Sequence, residues 1–499
     1  MKKSIDIVLI GAGNRGRDVY GRYISHHPEH FRLVAVADPS AARRETVAQR
    51  HHLPLERQFA SWEDLLGQPQ LAQAAIIATP DQDHTQPALA ALKAGYDVLL
   101  EKPMAIQQED CVRLVQVSEE QGRLLQISHV LRYTPVMQKV KQILESGVLG
   151  EIITVSHREN VSFWHMAHSY VRGNWRNTAA ASPMILAKCS HDFDLLYWFL
   201  ERKCARLSSI GTLLHFHHEQ APQNAPERCT DGCPVADSCP YESTNIYLDL
   251  QPFLAEMKQT RHPIYRTIGH LATSKIGRAC LRSLSRFVPA LRMMRDYHGW
   301  PRSVISEQPG EAAIRRALET GPYGRCVYHC DNDVVDHQVV SMELEGGTSV
   351  TLTMHGHSHQ EGRTTRIDGT RGTLFVRMNL FESEVELHHK RSRKVERSYM
   401  PHAYGQGHGG GDAGLMRAFY RALINRQQPP LTTARASLES HLLAFAAEQA
   451  RLSGEVVHME TYRAEAWAAL GVAGDASLPE LTQQRITNGN LHKPNRANP

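Results

Sequence analysis

The stretch Gly11-Ala12-Gly13-Asn14-Arg15-Gly16 limits the possible folds more than any other, because of what flanks it. Ile5-Asp6-Ile7-Val8-Leu9-Ile10 before it has the apolar run of a buried strand, and Arg17 to Ser25 after it can continue as a helix. In that setting Gly11 permits a tight turn, Gly13 lets a pyrophosphate approach the backbone, and Gly16 lets helix and strand pack closely. Asn14 and Arg15 lie in the same turn, where a helix N-terminus offers amide donors and partial positive charge to phosphates. A second apolar run, Leu33 to Ala37, ends at Asp38, 38 − 16 = 22 residues past the last glycine. An acid at that distance accepts adenosine ribose hydroxyls. Together these predict a dinucleotide-binding βαβ unit.

The alternation continues. Ala74 to Ala78 reads as a buried strand ending in Thr79-Pro80-Asp81, which is placed on the nicotinamide side, and His84 opens a helix to about Ala94. Val98-Leu99-Leu100 is a further strand and runs without a spacer into Glu101-Lys102-Pro103. Ligands of open α/β sheets sit beyond the carboxyl ends of the strands, so this carboxylate and amine arrive where chemistry happens. Pro103 stops the strand. A helix over Gln107 to Gln121 and a strand over Leu124 to Ile127 complete the pattern. The fold class is therefore α/β, with a doubly wound parallel sheet over residues 1–130.

With 499 residues the chain exceeds a single core. Pro135 to Gly147 forms an amphipathic helix. Residues 131–475 then read as an α+β substrate domain with a large, mostly antiparallel sheet. Its strands are expected at Ile152 to His157, Ser208 to Phe216, Val339 to Leu344, Ser349 to His355, Thr364 to Asp368, Gly372 to Arg377 and Val385 to His388. Helices are expected over residues 184–199, 412–425 and 435–453, an insertion over about 217–325, and a polar tail over 476–499. A net charge of +4 does not describe a dedicated nucleic-acid binder, and no apolar run reaches the ~18 residues of a membrane span. Asp6 interrupts the first apolar run and no cleavage site follows, so the chain is expected to be cytoplasmic.

These residues resemble the Gfo/Idh/MocA family, the relatives of glucose–fructose oxidoreductase and inositol dehydrogenase. The likeness rests on Gly11 to Gly16, Asp38, Thr79-Pro80-Asp81 with His84, Glu101-Lys102-Pro103, and His191-Asp192-Phe193-Asp194. It implies NAD as cofactor, bound with the help of Glu101 and Lys102. It also implies a Lys-Pro peptide that is often cis, a lysine touching substrate and nicotinamide ribose, and His191 as the base for a sugar or cyclitol hydroxyl. Many members place an aspartate four residues before the histidine; here Ala187 stands there and Lys188 follows. Lys188 shares a helix face with His191, and a second amine beside Lys102 is expected to lower both amine pKa values by repulsion. Trp175 and Arg176, Asp192, and His408 in the loop Gly407 to Asp412 are the expected substrate contacts, with Asp412 as an N-cap. That loop resembles the Gly-His-Gly-Gly-x-Asp loop of NAD-dependent glycosidases built on this fold.

The resemblance implies hydride transfer between a sugar, glycoside or cyclitol hydroxyl and nicotinamide, in a homo-oligomer built through the C-terminal sheet. Two alternatives are an NAD-dependent glycosidase that oxidises transiently and then eliminates, and a non-catalytic NAD-binding regulator. The presence of both Lys102 and His191 disfavours the regulator. Cys229-x3-Cys233-x5-Cys239 invites a structural zinc, with Cys326, Cys330 or a histidine of the 215–218 run as fourth ligand. Lys258 to Arg302 is basic with Asp296 its only acid, and carries an amphipathic helical period through Leu281, Leu284, Val288, Leu291 and Met294.

Overall fold

The computed structural model describes residues 4–274, 276–277, 283, 297–402 and 407–470. The amphipathic period from Leu281 to Met294 and the polar tail lie outside the described residues. Strands β1 (Ile5–Ile10), β2 (Phe31–Ala37), β3 (Gln58–Phe59), β4 (Ala74–Ile77), β5 (Asp97–Leu100) and β6 (Leu125–Ile127) form one sheet in the order β3-β2-β1-β4-β5-β6. Every pair in it is parallel. Its interior strands β4 and β5 are buried throughout, as helices on both faces require. The strand order reverses between β1 and β4. There the register sets Ile10 beside Ile77, and Ile77 beside Leu100. Gly11, Ala78 and Glu101 therefore leave the same edge of the sheet side by side.

A second sheet has nine strands: β7 (Ile152–Ser162), β8 (Cys204–Thr212), β9 (His337–Leu344), β10 (Ser349–Ser358), β11 (Gly362–Gly369), β12 (Gly372–Asn379), β13 (Glu382–His389), β14 (Val395–Pro401) and β15 (Val457–His458). Their order is β14-β13-β12-β11-β7-β10-β9-β8-β15, and only the β7–β10 pair is parallel. β8 begins and ends four residues earlier than its apolar pattern predicts. The Asp336 carboxylate accepts the Leu214 and His215 amides at 3.0 and 2.7 Å, which turns the chain out of the ladder. The edge strand β14, which sequence reading missed, is exposed and carries Glu396 and Arg397, charges that blunt an edge.

Between the sheets lies the helix Met184–Leu200, in which Lys188 and the terminal Leu200 alone are not fully buried. A helix apolar on every side must be covered on every side. The long helix Ala434–Ser453 packs on one flank and β7 and β10 lie on another. One continuous core runs through both sheets. The insertion between β8 and β9 packs a small second core, Ile246, Tyr247, Ile314, Leu318 and Tyr323, around Trp164 from the segment just after β7. Among the described residues no helix is long and apolar enough to cross a membrane.

Candidate active site

The glycine turn has the geometry its sequence predicts. Gly11 has φ +90°, and a Cβ there would stand 2.5 Å from the Ala78 carbonyl oxygen; one on Gly16 would stand 1.9 Å from that of Gly11. A Cβ on Gly13 would meet no protein atom within 4 Å, so this backbone faces open space where a pyrophosphate can approach. The helix that follows starts as a π-helix over Asn14–Gly21 and tightens to α at Arg22. Asp38 is buried and accepts the Ala12 amide at 2.7 Å and the Ser40 amide at 2.9 Å, which fixes its carboxylate beside the turn. Of the nearby cations, Arg43 pairs with Glu307 at 3.1 Å, and Arg44 donates to the Asp38 carbonyl at 2.6 Å. These features fit NAD: an open phosphate approach, a free helix N-terminus and a fixed ribose acceptor.

Arg15 reaches away from that turn. It pairs with Glu101 at 2.5 Å and Asp412 at 2.9 Å, and Tyr20 also donates to Glu101 at 2.5 Å. Asp412 is thus the second residue of the helix Gly411–Ile424 rather than its N-cap, which is Gly410. Its carboxylate faces Arg15 and His408, and they hold its pKa below the ordinary value although burial opposes them.

The Lys102–Pro103 peptide is cis. Two contacts hold the residues beyond it: His84 Nδ1 lies 2.7 Å from the Pro103 carbonyl, and the Met104 amide donates to His441 at 2.9 Å. The other ring nitrogen of His84 lies 3.0 Å from the Thr79 carbonyl. His84 therefore ties the Thr79-Pro80 turn to Pro103 and has no ring nitrogen left for a ligand. Lys102 Nζ, so aimed, donates to the Ala187 carbonyl at 2.6 Å. Ala187, four residues before His191, thus contributes a backbone oxygen to the site. Burial lowers the Lys102 pKa, with Asp81 and Glu101 opposing and Lys188 adding to the fall.

His191 lies one turn beyond Ala187. Its ring nitrogen is 3.5 Å from that of His129, and its ring centre is 6.3 Å from that of His408. Burial, then Lys102 and His129, hold its pKa well below 6.5, so the imidazole is neutral. Asp194 does not satisfy it, because Arg132 takes that carboxylate with contacts of 2.7 and 2.6 Å.

Lys188 corrects one expectation. Its pKa is raised, not lowered. Burial works against the ammonium, but Glu361 at 2.9 Å and Glu159 at 3.2 Å outweigh it. Lys188 is therefore a fixed cation and not a neutral base. Asp192 is fully buried and engages His157 at 2.7 Å and Arg363 at 2.8 Å. Burial alone would raise its pKa; Arg363 and His157 bring it down to about 2. Glu159 sits in the same network, its pKa pushed up to about 7 by burial against the pull of Arg363 and Lys188. Sequence reading missed His157, Glu159, Glu361 and Arg363. The one available signal was a histidine and a glutamate at alternate positions of β7, among Val155 and Val161.

Trp175 reaches the parallel sheet, donating from Nε1 to Asp81 at 2.8 Å. Arg176 instead pairs with Asp331 at 3.0 Å. His408 stays partly exposed, with φ +49° and Nδ1 3.1 Å from Asp412. Cys229, Cys233 and Cys239 gather around a small cavity together with Cys326; Cys330 directs its thiol to the Cys326 carbonyl, and the His215 ring nitrogen meets the Tyr328 hydroxyl.

Residues 5–129 match the model of an oxidoreductase family with an NAD-binding Rossmann fold, and residues 137–230 match the GFO/IDH/MocA C-terminal domain. An inositol 2-dehydrogenase of Corynebacterium glutamicum is 27% identical over 204 residues, 40% of this chain and 55% of the relative. A 2,7-anhydro-N-acetylneuraminate hydratase of Mediterraneibacter gnavus is 29% identical over 198 residues, 40% of this chain and 50% of the relative. The chain thus spans about half the length of these curated relatives. Among solved structures, scyllo-inositol dehydrogenase of Lactobacillus casei with NAD(H) and scyllo-inositol has a TM-score of 0.57 at 18% identity, covering 92% of this chain and 100% of that one. Aldose-aldose oxidoreductase of Caulobacter crescentus has 0.59 at 13%, covering 91% and 100%. These last two likenesses are of fold.

Proposed function

Because the chain belongs to the GFO/IDH/MocA oxidoreductase family, we propose that it is an NAD-dependent dehydrogenase that oxidises a hydroxyl of a cyclitol, sugar or glycoside. The observation that carries this reading is the meeting of Lys102 and His191. Lys102, from the edge of the parallel sheet, bonds to the carbonyl one turn before His191 on the buried helix. Bound NAD supplies the hydride acceptor. The neutral imidazole of His191 accepts the hydroxyl proton, and the Lys102 ammonium steadies negative charge on the same oxygen. Trp175 and His408 border the substrate, Trp175 from the Asp81 side and His408 from the glycine loop. Asp192, Lys188 and Arg363 act through the helix by holding His191 in place. Arg15, a neighbour of the cofactor in this reading, orients Glu101 and Asp412 around the nicotinamide end.

A second reading is transient oxidation followed by elimination or hydration, with NAD regenerated in each turnover. The match to an anhydroneuraminate hydratase favours it, as does His408, which could carry a second proton from a ring centre 6.3 Å from that of His191. Cofactor stoichiometry separates the two. Cyclitols, aldoses and glycosides are incubated with the enzyme and NAD, and NADH and product are both counted. One NADH per ketone supports the dehydrogenase. Many product molecules per bound NAD without NADH would replace it with the second reading.

A further inference from the structure

We propose that Cys229, Cys233, Cys239 and Cys326 bind a single zinc ion as four thiolates, and that the ion pins the root of the insertion to the segment carrying Trp175. A short antiparallel bridge places two of the four. Arg228 pairs with Arg325, and the Cys229 amide donates to the Gly324 carbonyl and the Cys326 amide to that of Glu227, both at 2.9 Å. Residues 227, 229, 324 and 326 therefore share one face of this ribbon, and the Cys229 and Cys326 side chains leave it together. The other two come from the loop that follows Cys229. Its Ala236 amide donates to the Cys233 carbonyl at 3.2 Å and its Cys239 amide to that of Val235 at 2.9 Å. These turns fold the loop back, so that all four cysteines line one cavity of about 10 Å³.

A cavity of that size admits one small ion and no organic group. Four sulfur donors select a soft, tetrahedral ion over magnesium or calcium, and zinc is the ion of such structural sites. Glu242 also lines the wall, but its carboxylate accepts the Thr244 and Asn245 amides at 2.9 and 2.7 Å. The other expected fourth ligands face elsewhere. Cys330 directs its thiol to the Cys326 carbonyl at 3.3 Å, and His215 Nε2 lies 3.1 Å from the Tyr328 hydroxyl. No three of the four sulfurs lie within 4.8 Å of one another, whereas four Zn–S bonds of ~2.3 Å set them at about 3.8 Å. The ion therefore draws the thiols inward. The part free to follow is the loop over 230–238, no residue of which is buried.

A second, independent observation is a buried cation at the cavity wall. Arg172 is 1% exposed. It donates to the Arg325 carbonyl at 2.7 Å, the Tyr241 carbonyl at 2.8 Å and the Cys229 sulfur at 3.5 Å, and its Nη1 has no hydrogen-bond partner. None of these three acceptors carries a formal charge while Cys229 is a thiol. A buried cation without a counter-charge is strongly destabilising. Zinc with four thiolates carries a net charge of roughly −2, which the guanidinium offsets in part. Through Arg172 the ion fastens the insertion to the segment 172–175, which ends in Trp175 against Asp81.

The test uses the full chain, produced with zinc in the medium and then desalted. About one zinc per chain is expected, and exchange for cobalt should give thiolate-to-cobalt charge transfer with the strong visible bands of a tetrahedral site. Cys326→Ser should lose zinc at least tenfold, whereas Cys330→Ser should retain it. Amide hydrogen exchange over residues 230–238 should slow at least tenfold when zinc is returned to the metal-free chain. Protein that stays metal-free after zinc addition would overturn the proposal, as would the weak spectrum of six-coordinate cobalt, iron with sulfide in place of zinc, or equal losses in the two variants. If Cys326→Ser does not fold, the zinc content and cobalt spectrum of the wild type decide the matter alone.

Discussion

His191 and Lys102 are both held below their ordinary pKa values by burial, His191 further by Lys102 itself, and the pH profile reports this. The proposed hydride transfer needs His191 neutral and Lys102 charged. Activity should fall as pH drops through the lowered His191 value, and again as pH rises through the lowered Lys102 value. Both limbs of the kcat/KM profile are therefore expected on the acid side of the ordinary values, 6.5 and 10.5; limbs at or above those would contradict the assignment. Lys188 is expected to act on stability. Lys188→Met leaves Glu159 and Glu361 buried without its charge and should cost ~3–5 kcal/mol in urea unfolding. An unchanged midpoint would show that the two carboxylates protonate at no cost. Asp38, with Arg43 and Arg44 already engaged, should favour NAD over NADP by roughly tenfold or more. Equal dissociation constants would mean that one of these arginines turns to the 2′-phosphate.

At the scale of elements, the glycine turn separates binding from folding. Gly13 has φ −68° and open space where a Cβ would go, so Gly13→Ala should keep the wild-type melting temperature. Its methyl group would stand in the pyrophosphate's approach, so NAD affinity should fall by about tenfold or more. A lowered melting temperature with unchanged affinity would place the cofactor elsewhere. Five strands of the parallel sheet were legible because they are short apolar runs punctuated by glycine, proline and acids; the two-residue edge strand β3, Gln58–Phe59, has no such run and was missed. β7 shows where legibility ended. The apolar pattern predicts an end at His157, yet the strand continues to Ser162, because β10 and β11 flank it and its alternate residues face the buried helix. His157 and Glu159 lie on that face and are buried through partners 29 to 204 residues away in sequence, Lys188, Asp192 and Arg363. No local period encodes such partners. The same holds for Arg15, which the motif assigns to the phosphates and the fold gives to Glu101 and Asp412.

For the whole molecule, the contacts converge on one place. Arg15 joins the first glycine turn to a helix that starts at Gly411, and Lys102 joins the edge of the parallel sheet to the helix carrying His191. The two sheets are thereby held so that a nicotinamide against β4 and β5 would face a neutral imidazole. If this is the working geometry, hydrogen leaves carbon as hydride while its oxygen gives a proton to His191. The most direct measurement follows deuterium. A polyol that supports turnover is labelled on the reacting carbon, and the label is located by mass spectrometry after reaction with wild type, Lys102→Ala and His191→Ala. Stoichiometric deuterium on the nicotinamide ring is expected with wild type, and rates roughly two to four orders of magnitude lower in both variants. Deuterium that stays in the product or washes into solvent, or full activity in the two variants, would contradict hydride transfer at this site.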